Sequence, residues 1–415
     1  MIKWAKDLFP LCRSLTGKGT QQTLRYFKRI NPEFKIFSFK SGTKVFDWVI
    51  PNEWNIMDAY IKHESGRKYC DFKKHNLHIV GYSMPINKSF NKKELLKYIY
   101  TEKKQPNSIP YVTSYYKKRW GFCMSENGKK KLPSGKYTVF INSSLKKGVM
   151  ELMDAKIKGR NKKEIFFSSY VCHPSMANNE LSGPVLLNAL LKYIKKAYPQ
   201  SNYSYRFVLL PETIGSITYI NKNLDNLKKN VICGFNLTCV GDERAYSYVS
   251  SKNGNTLADE AIKATLINKK KVNRYNFRDR GSDERQYCSP KVNLPLVAFS
   301  RSRDYPEYHT NKDDFKVVTS KGLQESFEVI KDVIDVFECC LYPKTNFFCE
   351  PNMGKRNLYP TISKKFTYTD SKTRMDIIAF SDGKTSLFKI AELINKPLKK
   401  VIEGCKILKK NKIIS

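Results

Sequence analysis

Histidine is scarce in this chain, and two of its five histidines follow apolar segments with the composition of buried strands. His173 ends the segment EIFFSSYVCH, and His309 comes a few residues after LPLVAFS. Glu212 follows a third such segment, and Thr238 and Asp242 lie at the end of a fourth. Two imidazoles and a carboxylate are the groups that a catalytic zinc site uses as ligands and base. The residue types therefore predict a metal-dependent hydrolytic site, provided that the four segments end at one place.

Each of these residues also has a purely structural interpretation. A single histidine after a strand more often makes a hydrogen bond in a loop than it binds a metal. Glu212 beside Pro211 suits the start of a helix, where the helix dipole favours a negative charge. Thr310 and Asp313 have the spacing of a helix-capping pair. The joint occurrence at four strand ends favours the catalytic interpretation over separate structural ones.

The chain between these residues predicts how they are positioned. From about residue 136, apolar runs alternate with stretches such as GPVLLNALLKYIKKAY, whose apolar residues have helical spacing. Alternating strands and helices predict a mainly parallel sheet with helices on both faces. Binding sites in such sheets form beyond the carboxyl ends of the strands, so we expect the polar residues to meet at one edge.

Two regions differ from this α/β pattern. Residues 45–135 carry three of the four tryptophans, short alternating runs and turn clusters, which predict a compact β-rich module. Residues 382–415 have the pattern helix, turn, helix, with Ser386 as the N-cap of the first helix. We therefore predict three domains: an α/β domain of residues 1–44 and 136–342, an inserted β-rich domain of residues 45–135, and a helix-turn-helix domain of residues 343–415.

The segment Ser114–Cys123, SYYKKRWGFC, interleaves aromatic and basic residues within the β-rich module. Such a segment either walls a pocket and stacks on a sugar or base, or packs its rings within a β-hairpin. The hairpin is the more common outcome for this composition, and we favour it.

The formal charge of +37 on 415 residues indicates an anionic partner or a general preference for lysine. Because the lysines are spread along the whole chain, including ordinary helix surface, we favour the second explanation. The charge alone therefore does not indicate nucleic acid as a partner.

The eleven cysteines include no CxxC pair, and several lie in apolar runs, as reduced cysteines do. This usage predicts a reducing compartment, and hence a cytoplasmic protein. The first residues contain no apolar stretch long enough for a secretion signal. No stretch of about 18 apolar residues occurs, so we expect no membrane partner.

The motifs resemble those of co-catalytic zinc aminopeptidases of the vibrio leucine aminopeptidase and glutamate carboxypeptidase kind. In that family a histidine follows one strand, an Asp-x-x-Ser-Gly loop opens the next helix, and a Glu-Glu-x-Gly segment follows the next strand. An Asn-Leu-Asp-like strand end and a late Tyr-His-Thr complete the pattern. The matching positions here are His173, NELSG at 179–183, ETIG at 212–215, NLT at 236–238 and YHT at 308–310.

Over nearly its whole length the chain also resembles a bacterial group of aminopeptidase-domain proteins of poorly defined function. These proteins combine the peptidase-like domain with an inserted β-rich module and a C-terminal winged helix. The motifs that carry this resemblance are FPLCRSLTG at 9–17, CHPS at 172–175, PETIGS at 211–216 and DERQYCSP at 283–290. The resemblance implies a zinc-aminopeptidase-like α/β fold with an inserted β-rich domain and a winged helix-turn-helix.

Three acidic positions of the zinc aminopeptidases are neutral in this chain. Asn179 stands at the position of the metal-bridging aspartate, Thr213 at the second glutamate, and Thr238 at the strand-end aspartate. Carboxylates hold two adjacent dications by neutralising their repulsion, so their loss argues against a two-zinc site. The resemblance then implies at most one zinc ion.

Two histidines and one oxygen donor satisfy a single zinc with an open position. We predict His173 and His309 as ligands, with Asn179 or Glu180 as the oxygen donor, while Asp242 and Asp283 are further candidates for it. A carboxylate is a better ligand than a neutral amide because it contributes charge as well as an oxygen.

The resemblance also implies roles around the metal. Glu212 corresponds to the general base, which takes a proton from water and returns it to the leaving amine. Asp283 and Glu284 lie where they would anchor a free ammonium group, which would make the enzyme an exopeptidase. Arg285 and Tyr287 would steady the carbonyl or a carboxylate of the substrate.

Two functions follow from these observations. We favour a zinc-dependent, aminopeptidase-like hydrolase that cleaves an amide bond in a small peptide or an N-acyl amine, and that could act as a homo-oligomer. The alternative is a non-catalytic or regulatory protein on a peptidase scaffold, whose winged helix contacts nucleic acid or a protein partner. In that case the basic residues of the last helix would contact phosphates: Lys399, Lys400, Lys406, Lys409 and Lys410.

Overall fold

An eight-stranded sheet forms the centre of the molecule in a computed structural model that describes residues 1–279, 281–360 and 369–415. Its four central strands are mutually parallel, and nearly every residue in them is buried. Both faces of these strands are covered, which is why they are continuously apolar rather than alternating. The strands, in spatial order, are Lys35–Lys40, Val149–Ile157, Ser204–Leu210, Glu164–Tyr170, Val231–Leu237, Leu296–Ser300, Tyr246–Val249 and Val272–Tyr275.

Helices pack on both faces of this sheet. On one face Phe167 stacks between Phe207 and Phe235 beneath the helices Ser182–Ala197 and Ser320–Cys339. On the other face Phe166, Tyr219 and Tyr287 belong to a second core. The remaining α-helices of the α/β domain are Ile2–Leu8, Lys18–Ile30, Ile214–Asn230, Leu257–Thr265 and Glu284–Tyr287, and a short 3-10 helix spans Phe277–Asp279. The mainly parallel α/β sheet predicted from the sequence is confirmed.

The inserted region forms a separate antiparallel sheet of four strands. In spatial order they are Lys68–Tyr69, Glu53–His63, Lys136–Lys146 and Ile86–Asn91. Lys136–Lys146 pairs along its length with Glu53–His63, so this strand belongs to the sheet of the insert. The boundary predicted at residue 136 differs from the structure here, because an apolar strand gives no sign of which sheet it joins.

Smaller elements complete the insert. Lys44–Val45 pairs with Trp48–Val49, and Ile99–Tyr100 pairs with Phe122–Cys123. The short helices are Asn76–His78, Lys92–Leu95, Leu96–Tyr98 and Glu126–Lys130. The segment Ser114–Cys123 forms bends and reaches a strand only at Phe122, so the favoured β-hairpin is wrong.

The C-terminal region contains the helices Thr369–Ala379, Leu387–Leu393 and Leu398–Lys410, besides the short turn Gly354–Arg356. The side chain of Ser386 accepts a hydrogen bond of 3.0 Å from Lys389 N, as predicted for an N-cap. The first of the three helices was not predicted from the sequence. It has almost no amphipathic pattern, and the segment before it was interpreted as a loop. No helix within the described parts of the chain is long and apolar enough to cross a membrane.

Candidate active site

The carboxyl ends of the four central strands bring the candidate residues to one edge of the sheet. His173 lies just beyond Tyr170, and Glu212 lies just beyond Leu210 of the neighbouring strand. Val171 N donates to Leu210 O at 2.8 Å, so the two chains stay paired up to the site. Thr238 N donates to Phe299 O at 3.3 Å and continues the pairing on the other side. The predicted convergence at one edge is therefore seen in the structure.

Glycine is required where the loop after His173 turns into its helix. A Cβ at Gly183 would lie 2.2 Å from Leu237 O and 2.3 Å from the Ser169 hydroxyl. Ser182 accepts a hydrogen bond of 2.9 Å from Val240 N and donates one of 2.5 Å to Asn178 O. The Ser-Gly pair thus holds the helix start against the adjacent strand end.

His173, Glu212 and Cys172 form the centre of the site. His173 Nε2 lies 3.6 Å from Glu212 Oε2, and Cys172 Sγ lies 3.6 Å from His173 Nδ1. Glu212 N donates to Cys172 Sγ at 3.3 Å, and Ser282 donates a short hydrogen bond to Glu212 Oε1. The Glu212 side chain is 27 % exposed, whereas that of His173 is 4 % exposed. Glu212 is therefore the member of this cluster that faces solvent.

Glu180 and Arg13 lie behind His173. Glu180 Oε2 is 2.8 Å from His173 Nδ1, and Arg13 Nε is 3.6 Å from Glu180 Oε1. Arg13 also donates to the carbonyl oxygens of His173, at 3.0 Å, and Leu8, at 2.7 Å. Glu180, predicted as an oxygen ligand of the metal, instead orients the imidazole from the side away from Glu212. A carboxylate in this position fixes the tautomer of a histidine and raises its basicity.

The protonation of this group is set by burial and by its neighbours. Burial disfavours a charged imidazole, but the Cys172 sulfur, the Tyr111 hydroxyl and the hydrogen bond with Glu180 together hold the pKa of His173 well above 6.5. Burial also raises the pKa of Glu180, against the opposing effect of His173 and Arg13. Burial raises the pKa of the Cys172 thiol to about 11.

His309 lies beside His173, with the two ring centroids 5.3 Å apart. Tyr111, from the insert, packs edge-on against both rings, at 5.2 Å and 5.3 Å. Tyr111 N donates to His309 O at 2.8 Å, and Asn311 N donates to Ile109 O at 3.0 Å. We call residues 105–116 the strap, because this part of the insert is bound across the His309 loop.

Asn179 lies on a π-helical turn, Ala177–Leu181, that Asp313 caps. Asp313 accepts hydrogen bonds from Asn178 N at 2.6 Å, Asn179 N at 2.9 Å and the Tyr305 hydroxyl at 2.8 Å. Asn179 Nδ2 donates to the Tyr170 hydroxyl at 2.9 Å, while Asn179 Oδ1 is buried and accepts no hydrogen bond from the described residues. The amide oxygen is thus available to a ligand, and its role stays a prediction.

Three predicted residues lie in the interior instead of at the edge. Asp283 accepts from Thr213 N at 2.7 Å and the Ser216 hydroxyl at 2.9 Å, and Glu284 accepts from Asn236 at 2.9 Å. Tyr287 shares a hydrogen bond of 2.9 Å with Ser168 in the core. These groups stabilise the strand and helix ends beneath the site, so the structure differs from the predicted contact with substrate.

Arg285 and Asp242 also differ from prediction. Arg285 is exposed and lies over the Phe277 ring, 5.1 Å from its centroid. Asp242 is fully engaged, because it accepts hydrogen bonds from Ser302 N at 2.9 Å, the Ser302 hydroxyl at 2.6 Å and Arg244 N at 2.9 Å. Asp242 therefore holds a loop together, and Arg285 lies on the outer surface.

Two cavities meet at Glu212. The larger, of about 750 Å³, is lined by Glu212, Ser282, Asp279, Asp304, Arg303, Gln105, Gly281, Tyr305, Pro306 and Tyr308. The smaller, of about 170 Å³, is lined by Glu212, Thr213, Leu15, Trp48, Tyr115, Tyr116 and Ile214. We call them the acidic cavity and the aromatic cavity. Glu212 is thus positioned between a polar and an apolar compartment.

Backbone strain accompanies the site. Ser175, Thr213, Cys239 and His309 have positive φ angles of 44°, 64°, 52° and 57°, a region that residues with a side chain rarely adopt. Such conformations persist where the surrounding structure enforces them, and they concentrate at functional sites. Ser175, Thr213 and Cys239 lie within five residues of a strand end, and His309 lies in the longer loop that follows Ser300.

Several residues of the site were not singled out as functional from the sequence. Cys172 was interpreted as a small hydrophobic residue, and Tyr111 had no distinguishing pattern. Arg13 lies in the FPLCRSLTG motif. Because this motif carries the family resemblance together with those around His173 and Glu212, it could have indicated that Arg13 belongs to the same site. Asp313 was considered only as a helix cap.

The donor atoms fit one zinc ion better than two. Within the described residues, the group of three or more His, Cys, Asp or Glu ligand atoms that lie within 4.8 Å of one another consists of Cys172, His173 and Glu212. Sulfur, nitrogen and carboxylate oxygen are the donors that zinc prefers. His309 does not belong to this group, although its ring lies beside it.

The fold and the site together define an aminopeptidase-like protein. The chain belongs to the family described as a domain of unknown function, DUF4910, whose model matches residues 2–339. A winged helix-turn-helix model matches residues 341–415. The resemblance to aminopeptidase-domain proteins and the C-terminal winged helix, both predicted from the sequence, are confirmed.

Three similar proteins illustrate this assignment. A Clostridium acetobutylicum protein, provisionally named a polysaccharide biosynthesis protein with an aminopeptidase-like domain, is 40 % identical over 93 % of this chain and 89 % of its own. A crystal structure of a protein provisionally named a peptidase, also from Clostridium acetobutylicum, has 36 % identity and a TM-score of 0.91 and covers 100 % of this chain and 95 % of its own. A zinc aminopeptidase of Bacillus subtilis, at 12 % identity and a TM-score of 0.57 over 80 % of this chain and 93 % of its own, shares the fold.

Proposed function

We propose that this protein is a metal-dependent hydrolase that cleaves an amide bond beside a free amino group in a small peptide or N-acyl amine. One observation carries the proposal. The Glu212 carboxylate lies 3.6 Å from His173, a residue of the type that binds zinc, and it also lines the acidic cavity. It could therefore contact a metal ion held by His173 and a substrate in that cavity. Supporting it, the proteins of similar fold include zinc aminopeptidases.

Glu212 is the group proposed to move the proton. Ser282 donates to Oε1 and leaves Oε2 directed towards His173, which fixes the rotation of the carboxylate. A carboxylate held in this way takes a proton from an attacking water and delivers it to the leaving amine. Its partial exposure allows water to reach it, whereas the buried carboxylates Glu180 and Asp283 are shielded.

Zinc would be held by His173 and Cys172, close to the carboxylate of Glu212. When bound, zinc polarises a carbonyl and lowers the pKa of water to about 7. Glu180 and Arg13 keep the imidazole of His173 oriented for this task. His309 and Asn179 remain proposed as additional donors.

The acidic cavity suits a free ammonium group. Among the described lining residues, Asp279, Asp304 and Glu212 contribute carboxylates and Arg303 contributes a guanidinium. Arg303 lies 3.7 Å from Asp304, and it also donates to the Asp279 carbonyl oxygen. Because carboxylates outnumber guanidinium groups among the described lining residues, we propose that these acids, rather than Asp283 and Glu284, attract the amino end of the substrate.

The test is hydrolysis of amino-acid amides and dipeptides by the full chain, before and after one equivalent of zinc is added. Removing a general base typically costs about 10² to 10⁴ in rate, so we expect Glu212→Gln to lose that much while keeping its zinc. We expect His173→Ala to lose both its activity and its bound zinc. The absence of bound zinc, with no activity after zinc is added, would contradict the proposal.

The alternative, nucleic-acid binding by the winged helix, receives less support from the structure. Lys400 forms ion pairs with Asp370 and Glu403, both at 3.8 Å, and Lys409 donates to Cys339 O at 2.8 Å. Lys399, Lys406 and Lys410 are exposed. Salt-dependent DNA binding by the full chain, weakened in a triple alanine variant of these three lysines, would favour this alternative.

A further inference from the structure

The aromatic cavity is built largely by the insert but opens on the residue proposed to do the chemistry. Trp48, Tyr115 and Tyr116 come from the insert, whereas Leu15 and Ile214 come from the α/β domain. Glu212 lines this cavity and the acidic cavity alike. A substrate whose scissile bond lies at Glu212 can therefore extend into both.

Resting on the proposed function, we propose that the aromatic cavity is a specificity subsite that takes an apolar side chain of the substrate. The larger acidic cavity, of about 750 Å³, has room for the polar part of the substrate. The aromatic cavity, of about 170 Å³, has room for one side chain. A small amphipathic amide would thus bind with its polar end in the acidic cavity and its apolar side chain in the aromatic cavity.

The two tyrosine hydroxyls of the aromatic cavity are already engaged, which favours an apolar occupant. The Tyr116 hydroxyl donates to Val49 O at 3.1 Å, and the Tyr115 hydroxyl shares a hydrogen bond of 2.9 Å with that of Tyr111. Leu15 and Ile214 are buried and contribute only carbon. A sugar ring placed here would leave several of its hydroxyls without partners, which costs free energy.

The rim of this cavity is exposed and apolar. Trp48 is 39 % exposed and Tyr116 is 56 % exposed, and their rings meet edge to face at 6.3 Å. Phe46 and Val49, on the same short hairpin as Trp48, are also exposed. Rigid aromatic surface of this kind gains free energy when an apolar group covers it.

The subsite is held in place relative to the chemistry. The Tyr111 ring packs on His173 and His309, and its hydroxyl forms a hydrogen bond with the Tyr115 hydroxyl. Tyr115 in turn packs edge-on against Tyr82, at 5.4 Å. The aromatic cavity is therefore connected to the histidines through a continuous set of rings, so its position depends on the same strap that covers the site.

The experiment compares L-leucinamide with glycinamide, which carry the same amine and amide and differ only in the side chain. Calorimetric titration of the zinc-supplemented full chain should show leucinamide binding at least about 10-fold more tightly. Trp48→Ala and Tyr116→Ala, both at exposed positions, should reduce this ratio to near one. Trp120→Phe, a tryptophan of the insert that stacks on Tyr98 away from the cavity, is the matched control and should keep the ratio.

Each other outcome separates the subsite from the proposed function. Equal binding of the two amides, no measurable binding of either, or a preference that survives both alanine variants would overturn the subsite. Stronger binding of methyl N-acetylglucosaminide than of leucinamide would also overturn it. A preference for leucinamide that is lost in the variants, without hydrolysis of any amide, would retain the subsite and reject the hydrolase.

Discussion

Glu180 Oε2 lies 2.8 Å from His173 Nδ1, and both side chains are almost completely buried. The glutamate directly follows the position that resembles the metal-bridging aspartate of zinc aminopeptidases, yet its side chain points to the back of the imidazole. Nε2 of His173 is thereby presented to Glu212 and the cavity. The orientation of the His173 ring therefore depends on the carboxylate of Glu180, which is buried and out of reach of a substrate.

We predict that Glu180→Gln weakens zinc binding. The glutamine keeps the shape of the side chain but loses the charge that supports the imidazole, and changes of this kind cost about 10- to 100-fold in metal affinity. Competition with a chromophoric chelator measures the affinity. Glu151→Gln, a buried carboxylate paired with Arg25 instead, is the control and should bind zinc normally. Unchanged affinity in Glu180→Gln would contradict the orienting role.

We predict that Arg13→Met destabilises the fold, because it removes the buried guanidinium that pairs with Glu180 and donates to the carbonyl oxygens of His173 and Leu8. Breaking a buried pair from one side typically costs about 3 to 5 kcal/mol. The double variant Arg13→Met with Glu180→Gln should lose less than the sum of the two single variants, which chemical denaturation measures. Strict additivity would show that the two side chains do not interact.

Restoring an acid at Asn179 should couple stability to zinc. Asn179 donates to the Tyr170 hydroxyl, and Asn179→Asp would exchange this donor for a buried charge. We expect a loss of about 1 to 3 kcal/mol without metal. We expect zinc to recover much of it, because a carboxylate is the better ligand. Thermal unfolding with and without zinc measures both effects. An equal response to zinc in the wild type and the variant would contradict a metal-facing position.

Asp283 should make stability fall as the pH rises. Burial and the neighbouring Glu212 raise the pKa of Asp283 well above 3.8. The folded state therefore favours the protonated acid, and its stabilising effect is complete below about pH 4 and lost as the pH rises through the raised value. A tenfold difference in the acid dissociation constant between the folded and unfolded states corresponds to about 1.4 kcal/mol of stability.

Asp283→Asn should flatten this dependence, since the amide oxygen still accepts from Thr213 N and Ser216. Urea unfolding between pH 4.5 and pH 7.5 gives the comparison. The same slope in the variant and the wild type would assign the pH dependence to other groups.

The position of the site was predictable, whereas the roles of several of its residues were not. Continuous apolar runs identify the buried parallel strands, and their carboxyl ends must share one edge, so His173 and Glu212 could be brought together from sequence. Glu180 and Asp283 could not be assigned, because the direction of a side chain at a strand–helix corner depends on packing from distant segments. Arg13 shows this dependence directly, since it reaches His173 across 160 positions of the chain.

The strap joins parts of the chain that are far apart in sequence. The contacts of Gln105 with Pro306 and of Ile109 with Asn311 close loops of 201 and 202 residues. Closing such loops costs chain entropy before any contact repays it, and long-range contacts of this kind slow folding. We therefore expect the chain to pass through a late folding intermediate that already has its sheets but is unable to bind substrate. The chain would become able to bind substrate only in the last folding step, when the insert docks over His309.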